Sequence, residues 1–234
     1  MKAKQINFKR MLLFLVEGAT DKISLENILK KNIRDKKVCF KIVNGDVTSE
    51  ADTTTLNVES KIAAFVKDFL ARNRAFKRTD IIEIVHLTDL DGVYLKDKRV
   101  AYDKDAELTY GEKIIVTNKS YAIIERNKRK SEILTHLSGL TEIGGVGYSI
   151  YYFSTNLEHV FYDDSNCTDD KKENKAYDFA KGFAGCEDEF LNFLQTEDIV
   201  PNMPYKESWE HVRHGINSLK RLTNIDLLLK KYSK

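Results

Sequence analysis

Acidic side chains follow two apolar runs of the sequence, at the point where each run ends. In "LVEGATD" the acid is Glu17, with Gly18 directly after it, and in "HLTDLDG" the acids are Asp89 and Asp91, followed by Gly92. Carboxylates brought close together repel one another and take up protons unless a cation compensates their charge. Mg²⁺ prefers oxygen ligands and combines one or two carboxylates with water and substrate phosphates. The pattern therefore predicts a site for Mg²⁺ or Mn²⁺ that acts on phosphates.

The elements around these acids are expected to bring them together. Short apolar runs at 11–16, 38–43 and 81–87 are typical of buried strands, and residues 21–31 and 56–72 between them show a helical spacing of apolar side chains. Strands and helices that alternate with short links indicate βαβ units and a parallel sheet. Such sheets bind ligands at the carboxyl ends of their strands, which is where the acids stand.

The rest of the chain extends this pattern. It predicts strands at 113–118 and 148–154, a helix at 119–138, a charged connector at 163–175 and mainly helix from 176 to 234. We predict an α/β fold, with a Rossmann-like parallel sheet flanked by helices, over residues 1–153. A mostly helical extension, packed on or beside that core, is expected over residues 154–234.

The amino-acid composition excludes several classes of protein. The chain has 234 residues and a net charge of only +2, which neither requires nor excludes a nucleic-acid partner. Its three cysteines, Cys39, Cys167 and Cys186, form no CxxC pair, which argues against a zinc ribbon or a disulfide scaffold and fits a reducing cytosol. No apolar run is long enough to span a membrane, and the stretch after the basic "MKAKQINFKR" is too short for a signal peptide. We predict a soluble cytoplasmic protein with no membrane partner.

The acidic motifs resemble those of the TOPRIM domain. In that family a glutamate follows strand one and an Asp-x-Asp pair follows strand three, as in "FLVEGATDKISLENIL" and "VHLTDLDG". The resemblance covers about residues 10–120, roughly half of the chain. It implies a TOPRIM fold in which Glu17 is the catalytic acid or base and in which Asp89 and Asp91 bind Mg²⁺ and share in catalysis.

TOPRIM domains occur in topoisomerases, bacterial primases, ribosomal-RNA maturation nucleases, RecR-type repair proteins and nucleases of the overcoming-lysogenization-defect (OLD) family. The chain lacks the cysteine modules of primases and RecR-type proteins and has no P-loop motif. It is most similar to a stand-alone OLD-like or anti-phage TOPRIM nuclease, which implies Mg²⁺-dependent cleavage of DNA or RNA in phage defence or a mobile element. The alternative is a non-catalytic TOPRIM module that needs a partner ATPase or sensor, and a homo-oligomer also remains open.

Two other acids are candidates for the same site. Asp21 begins the helix after Glu17, where it serves either as a cap of that helix or as a metal ligand. Glu158, in "STNLEHVFY", either completes a capping box with Thr155 or supplies the later metal-binding carboxylate that the resemblance implies. Acids at strand ends are often only helix caps, and each motif alone is short enough to occur by chance.

Basic side chains near the acidic motifs are candidates for binding a nucleic-acid backbone. Clusters of Lys and Arg suit phosphate contacts, although a single cluster is more often a solvated helix face. Lys96, Arg99 and Lys119 are the candidates expected closest to the acids. Gly18 and Gly92 would leave room for the backbone to turn and for a phosphate to approach.

Overall fold

The computed structural model describes residues 10–33 and 36–232, and its centre is a five-stranded sheet. The strand order is β2-β1-β3-β8-β7, in which all neighbours are parallel except β7, which is antiparallel to β8. The basic segment before residue 10, on which the signal-peptide argument bears, lies outside the described residues. The strands of this sheet are β1 (Met11–Val16), β2 (Lys37–Ile42), β3 (Ile81–Asp89), β7 (Glu142–Ile143) and β8 (Val146–Phe153).

Helices cover both faces of the sheet. Strand β1 is buried along its whole length, and its alternate side chains enter two different cores. Helices α1, α4, α6 and α8 contribute to the core on the face of Phe14, whereas α2, α3 and α7 contribute to the core on the face of Leu13. The helices are α1 (Ala19–Asn32), α2 (Val58–Arg72), α3 (Ser120–Ser138), α4 (Leu157–Tyr162), α5 (Asp169–Gly182), α6 (Phe190–Thr196), α7 (Tyr205–Val212) and α8 (Ile225–Tyr232).

A second, smaller sheet lies between β3 and α3 in the chain. Its strands are β4 (Val100–Tyr102), β5 (Thr109–Tyr110) and β6 (Ile115–Thr117), in the order β4-β6-β5. A small core of Leu95, Val100, Ile115 and Leu219 fixes it to the carboxyl-terminal part of the chain. The small sheet thereby stands beside the carboxyl ends of the large sheet's strands.

The mixed α/β fold with a mostly parallel, helix-flanked sheet is confirmed. Two local predictions are wrong. The charged connector at 163–175 is helical from Asp169 onward, because Ala176 and Phe179 give α5 an apolar contact despite its polar composition. The capping box from Thr155 does not form: Asn156 caps α4 by accepting the His159 N–H at 2.8 Å, and Thr155 has a left-handed backbone with φ of 59°.

Within the described residues, no helix combines the length and the apolar character needed to cross a bilayer.

Candidate active site

Neighbouring parallel strands bring Glu17 and Asp89 into contact. Glu17 follows β1 and Asp89 ends β3, and these strands lie side by side. The Glu17 Oε1 atom accepts the Asp89 N–H at 3.2 Å and lies 3.5 Å from the Thr88 hydroxyl oxygen. The Asp89 Oδ1 atom accepts the N–H of Leu157, the first residue of α4, at 3.0 Å. The two acids are thus held by the backbone at the carboxyl edge of the sheet.

Asp91 is bound to a buried lysine that sequence reasoning did not single out. The Lys130 ammonium on α3 lies 2.7 Å from Asp91 Oδ2 and 2.6 Å from Asp46 Oδ2, and its side chain is fully buried. Asp46 stands in the loop after β2, so it reaches the same edge as Glu17. We call Asp46, Asp91 and Lys130 the paired half of the site.

Further hydrogen bonds fix both carboxylates of the paired half. Asp46 accepts the Thr48 N–H at 2.8 Å and also the Thr48 and Ser49 hydroxyls. Asp91 has a left-handed backbone with φ of 51°, and its Oδ1 accepts the Tyr110 hydroxyl at 2.9 Å. Its carbonyl oxygen accepts Arg126 Nη2 at 3.0 Å. The paired half is therefore a rigid network with every carboxylate oxygen in use.

Electrostatics keeps the paired half ionised. Burial by itself disfavours the charged carboxylates. The Lys130 ammonium, together with the hydroxyl hydrogen bonds to Asp46 and the Arg126 guanidinium near Asp91, outweighs burial and lowers the pKa of both aspartates. Burial likewise opposes the charge of Lys130, and the two aspartates outweigh it and raise its pKa.

Four other acids gather beside this network, and we call Glu17, Asp21, Asp89 and Glu158 the acid half. Burial raises the pKa of Glu17 and Asp89 well above the ordinary range, and repulsion between neighbouring acids raises it further. Burial and the charge of Glu158 also raise the pKa of Asp21 to about 6. The Gly18 N–H, which donates to Asp21 at 3.0 Å, acts in the opposite direction and limits this rise. Lys172 on α5 is the cation nearest to Glu158, at 3.8 Å from Oε1, and its side chain is about one-third exposed.

The donor chemistry of the acid half fits a hard divalent cation. Within residues 10–33 and 36–232, no three His, Cys, Asp or Glu side chains are already spaced to hold a metal ion together. Mg²⁺ does not require such a cage, since it commonly uses one or two protein carboxylates and completes its shell with water and phosphate. Glu17 and Asp89 are the pair best placed to hold it, whereas Lys130 already takes the Asp91 oxygen that sequence reasoning assigned to the metal.

The two candidate glycines have different environments. Gly18 precedes α1, and its N–H is used by Asp21. Gly92 is buried with φ of 67°, and a side-chain carbon there would come within 2.8 Å of Leu219 and 2.9 Å of Ile115. Glycine at 92 therefore meets a need for left-handed backbone and close packing, and the space that we expected for a phosphate is filled by these two side chains.

The basic residues in contact with the acids differ from the expected ones. The Arg99 guanidinium donates to the Lys113 carbonyl oxygen within the small sheet. Lys96 and Lys119 are exposed, and neither side chain has a hydrogen bond or ion pair to the acids in the part of the chain that the structure describes. The side chains that reach the site are Arg126, Lys130 and Lys172.

The sequence contains signals that could have identified Arg126, Lys130 and Asp46 as site residues. Arg126 and Lys130 are four residues apart, so they share one face of α3. Asp46 follows β2 as Glu17 follows β1, so the rule that identified Glu17 applies equally to Asp46.

Comparisons of the chain with models of protein families, with curated proteins and with solved structures found no match.

Proposed function

We propose that this protein is a Mg²⁺- or Mn²⁺-dependent nuclease that hydrolyses phosphodiester bonds in DNA or RNA. The observation that carries the proposal is the convergence of the four carboxylates of the acid half on one edge of a parallel sheet, where burial and mutual repulsion raise the pKa of Glu17 and Asp89. Acids so arranged destabilise one another and gain most from binding a divalent cation. The order of strands and acids supports assignment of the core to a TOPRIM-like fold.

Each half of the site has a role in this mechanism. Glu17 and Asp89 would hold the cation, and a cation held there would polarise a scissile phosphate and lower the pKa of a bound water. Glu17 is also the side chain that would take a proton from water or give one to the leaving oxygen if it stays off the metal. The paired half holds the loops after β2 and β3 in place, because Lys130 joins Asp46 to Asp91.

Lys172 is the side chain best placed to bind the substrate phosphate. It lies on α5, beside Glu158, and its ammonium is partly exposed. A lysine in this position offers three donors to a phosphate oxygen and adds positive charge where the transition state gains negative charge.

One observation favours a second function. Lys130 occupies Asp91, so the Asp-x-Asp pair is not free to bind metal as a unit. A non-catalytic TOPRIM module, which acts with a separate ATPase or sensor, would keep such a neutralised pair permanently. A role in phage defence or in a mobile element rests on the resemblance to OLD-like proteins.

The test is cleavage of labelled single-stranded and duplex DNA and RNA by the purified protein, with Mg²⁺, with Mn²⁺ and with EDTA. Glu17→Gln and Asp89→Asn retain an oxygen that accepts the same backbone hydrogen bonds, so both variants should fold. We expect metal-dependent cleavage by the wild type and at least about a hundredfold loss in each variant. Asp68→Asn is the matched control: Asp68 is 38% exposed on α2 and pairs with Lys41 of β2 and Arg72 of α2. Equal metal-dependent cleavage by the wild type and both site variants would overturn the assignment.

A further inference from the structure

A pocket of about 560 Å³ adjoins the paired half of the site and has no role in the mechanism above. It lies between the β5–β6 turn, α4 and the segment before α8. Its walls include Tyr110, Glu112, Lys113, Ile216, Leu219 and Lys220. A volume of this size is typical of sites that hold one small organic ligand.

The pocket combines an apolar floor with a cationic rim. Ile216 and Leu219 belong to the apolar cluster under the small sheet, and Tyr110 packs against the same cluster. Lys113 and Lys220 at the rim are exposed, and neither ammonium has an ion-pair partner among the described residues. A third cation of the lining, Arg221, is paired with Glu197 at 2.8 Å. Lys113 and Lys220 therefore outnumber the one acid of the lining, Glu112, and the rim attracts an anion.

Tyr110 connects the pocket with the acids. Its hydroxyl donates to Asp91 Oδ1 at 2.9 Å, its N–H donates to Asn166 Oδ1 at 2.8 Å, and its carbonyl oxygen accepts Asn166 Nδ2 at 2.9 Å. The ring is therefore fixed in position at the wall shared by the pocket and the paired half. A fixed aromatic ring is a surface on which an unpaired base can stack without a loss of side-chain freedom.

We propose that this pocket binds one unpaired nucleotide, with the base on Tyr110 and Ile216 and the phosphate at Lys113 and Lys220. The assignment rests on the proposed nuclease function for its biological meaning, because the bound nucleotide would be the one beside the scissile phosphate. It implies a substrate that is single-stranded, or locally unpaired, next to the cut.

The experiment is calorimetric titration of the protein with adenosine 5′-monophosphate in EDTA, alongside ribose 5-phosphate and inorganic phosphate. Stacking of a base on an aromatic side chain contributes about five- to 150-fold in affinity. Adenosine 5′-monophosphate should therefore bind at least about fivefold more tightly than ribose 5-phosphate. Equal binding of all three probes would show a general phosphate site and overturn the proposal.

A charge-reversal pair tests the rim. Lys113→Glu with Lys220→Glu changes two exposed side chains and should weaken nucleotide binding by about tenfold or more, with an unchanged unfolding midpoint. Lys181→Glu with Lys206→Glu makes the same change of net charge on exposed helix positions away from the pocket, and should leave binding intact. Equal loss in both pairs would overturn the pocket assignment. An acidic peptide that binds as tightly as the nucleotide would assign the pocket to a protein partner instead.

The assay separates this proposal from the nuclease assignment. EDTA removes divalent cations, so no cleavage takes place during the titration, and a protein that cuts nothing can still show nucleotide binding. If the protein cuts nucleic acid but binds no nucleotide in this pocket, only the pocket proposal falls.

Discussion

Replacement of Lys130 with methionine tests whether the buried ammonium holds the paired half together. The side chain is fully buried and contacts Asp46 at 2.6 Å and Asp91 at 2.7 Å. Methionine is similar in length and unbranched, so the change removes the charge with little change of volume. Both carboxylates would then remain buried without their cation. Loss of one partner of a buried ion pair destabilises a protein by about 3–5 kcal/mol.

The effect should depend on pH in a direction that the charges fix. In the wild type the lowered pKa values of Asp46 and Asp91 stabilise the fold above the unfolded-state pKa of about 3.9, and this contribution is lost at lower pH. Without Lys130, burial raises both pKa values, so protonation begins at higher pH and relieves the unpaired charge. The deficit of the variant should therefore be largest at pH 7 and shrink towards pH 4.

Urea unfolding at pH 7 and pH 4.5 measures this deficit. At about 2–4 °C per kcal/mol for a chain of this size, the melting temperature should also fall by about 6–20 °C. Lys128→Met is the matched control: this lysine lies on the same helix, is 56% exposed and pairs with Glu125 and Asp97. It should leave the free energy of unfolding almost unchanged, because exposed ion pairs contribute little to stability. A Lys130→Met deficit below about 1 kcal/mol, or one equal at both pH values, would refute the electrostatic reasoning.

Replacement of each aspartate of the Asp-x-Asp motif with asparagine should shift the melting temperature in EDTA in opposite directions. Asp89→Asn should raise the melting temperature at pH 8, because the raised pKa of Asp89 means that its ionisation destabilises the fold as pH rises; the gain should vanish near pH 4. Asp91→Asn should lower the melting temperature at pH 8, because Lys130 lowers the pKa of Asp91 and the charged form stabilises the fold. Changes of the same sign would contradict the division of the site into two halves.

The strands of the large sheet could be predicted because their apolar runs are short, continuous and separated by turn residues. The observed β1, β2 and β3 lie within one or two residues of the predicted ranges. The position of Glu17 beside Asp89 followed from strand order alone, since the carboxyl ends of neighbouring parallel strands share an edge. Local sequence pattern was sufficient for these features.

The pairing of Lys130 with Asp46 and Asp91 could not be predicted in the same way. The lysine stands 84 residues from Asp46 and 39 from Asp91, and only the packing of α3 on the sheet brings the three together. Lys130 lies in a run of charged residues that is typical of a solvated helix face, and two of its neighbours, Lys128 and Arg129, have other partners. Tertiary contact, not local spacing, selects which cation of the run is buried.

The helix cap at Asn156 is a second feature that the sequence alone could not predict. Both Thr155 and Asn156 are good capping residues, and the sequence does not distinguish them. The Thr155 side chain instead bonds to the Leu219 carbonyl oxygen at 3.3 Å, and its N–H donates to the Ser218 carbonyl oxygen at 2.9 Å. A contact with the carboxyl-terminal segment thus moves the start of α4 by one residue.

Thermal unfolding during titration with Mg²⁺ or Mn²⁺ tests the central claim, that the acid half binds a divalent cation. A ligand that binds only the folded state at 100 times its dissociation constant stabilises it by about 2.7 kcal/mol. The melting temperature of the wild type should then rise by about 5–10 °C. The rise should disappear in Asp89→Asn and persist in Asp68→Asn. No rise in the wild type, or an equal rise in Asp89→Asn, would contradict the account.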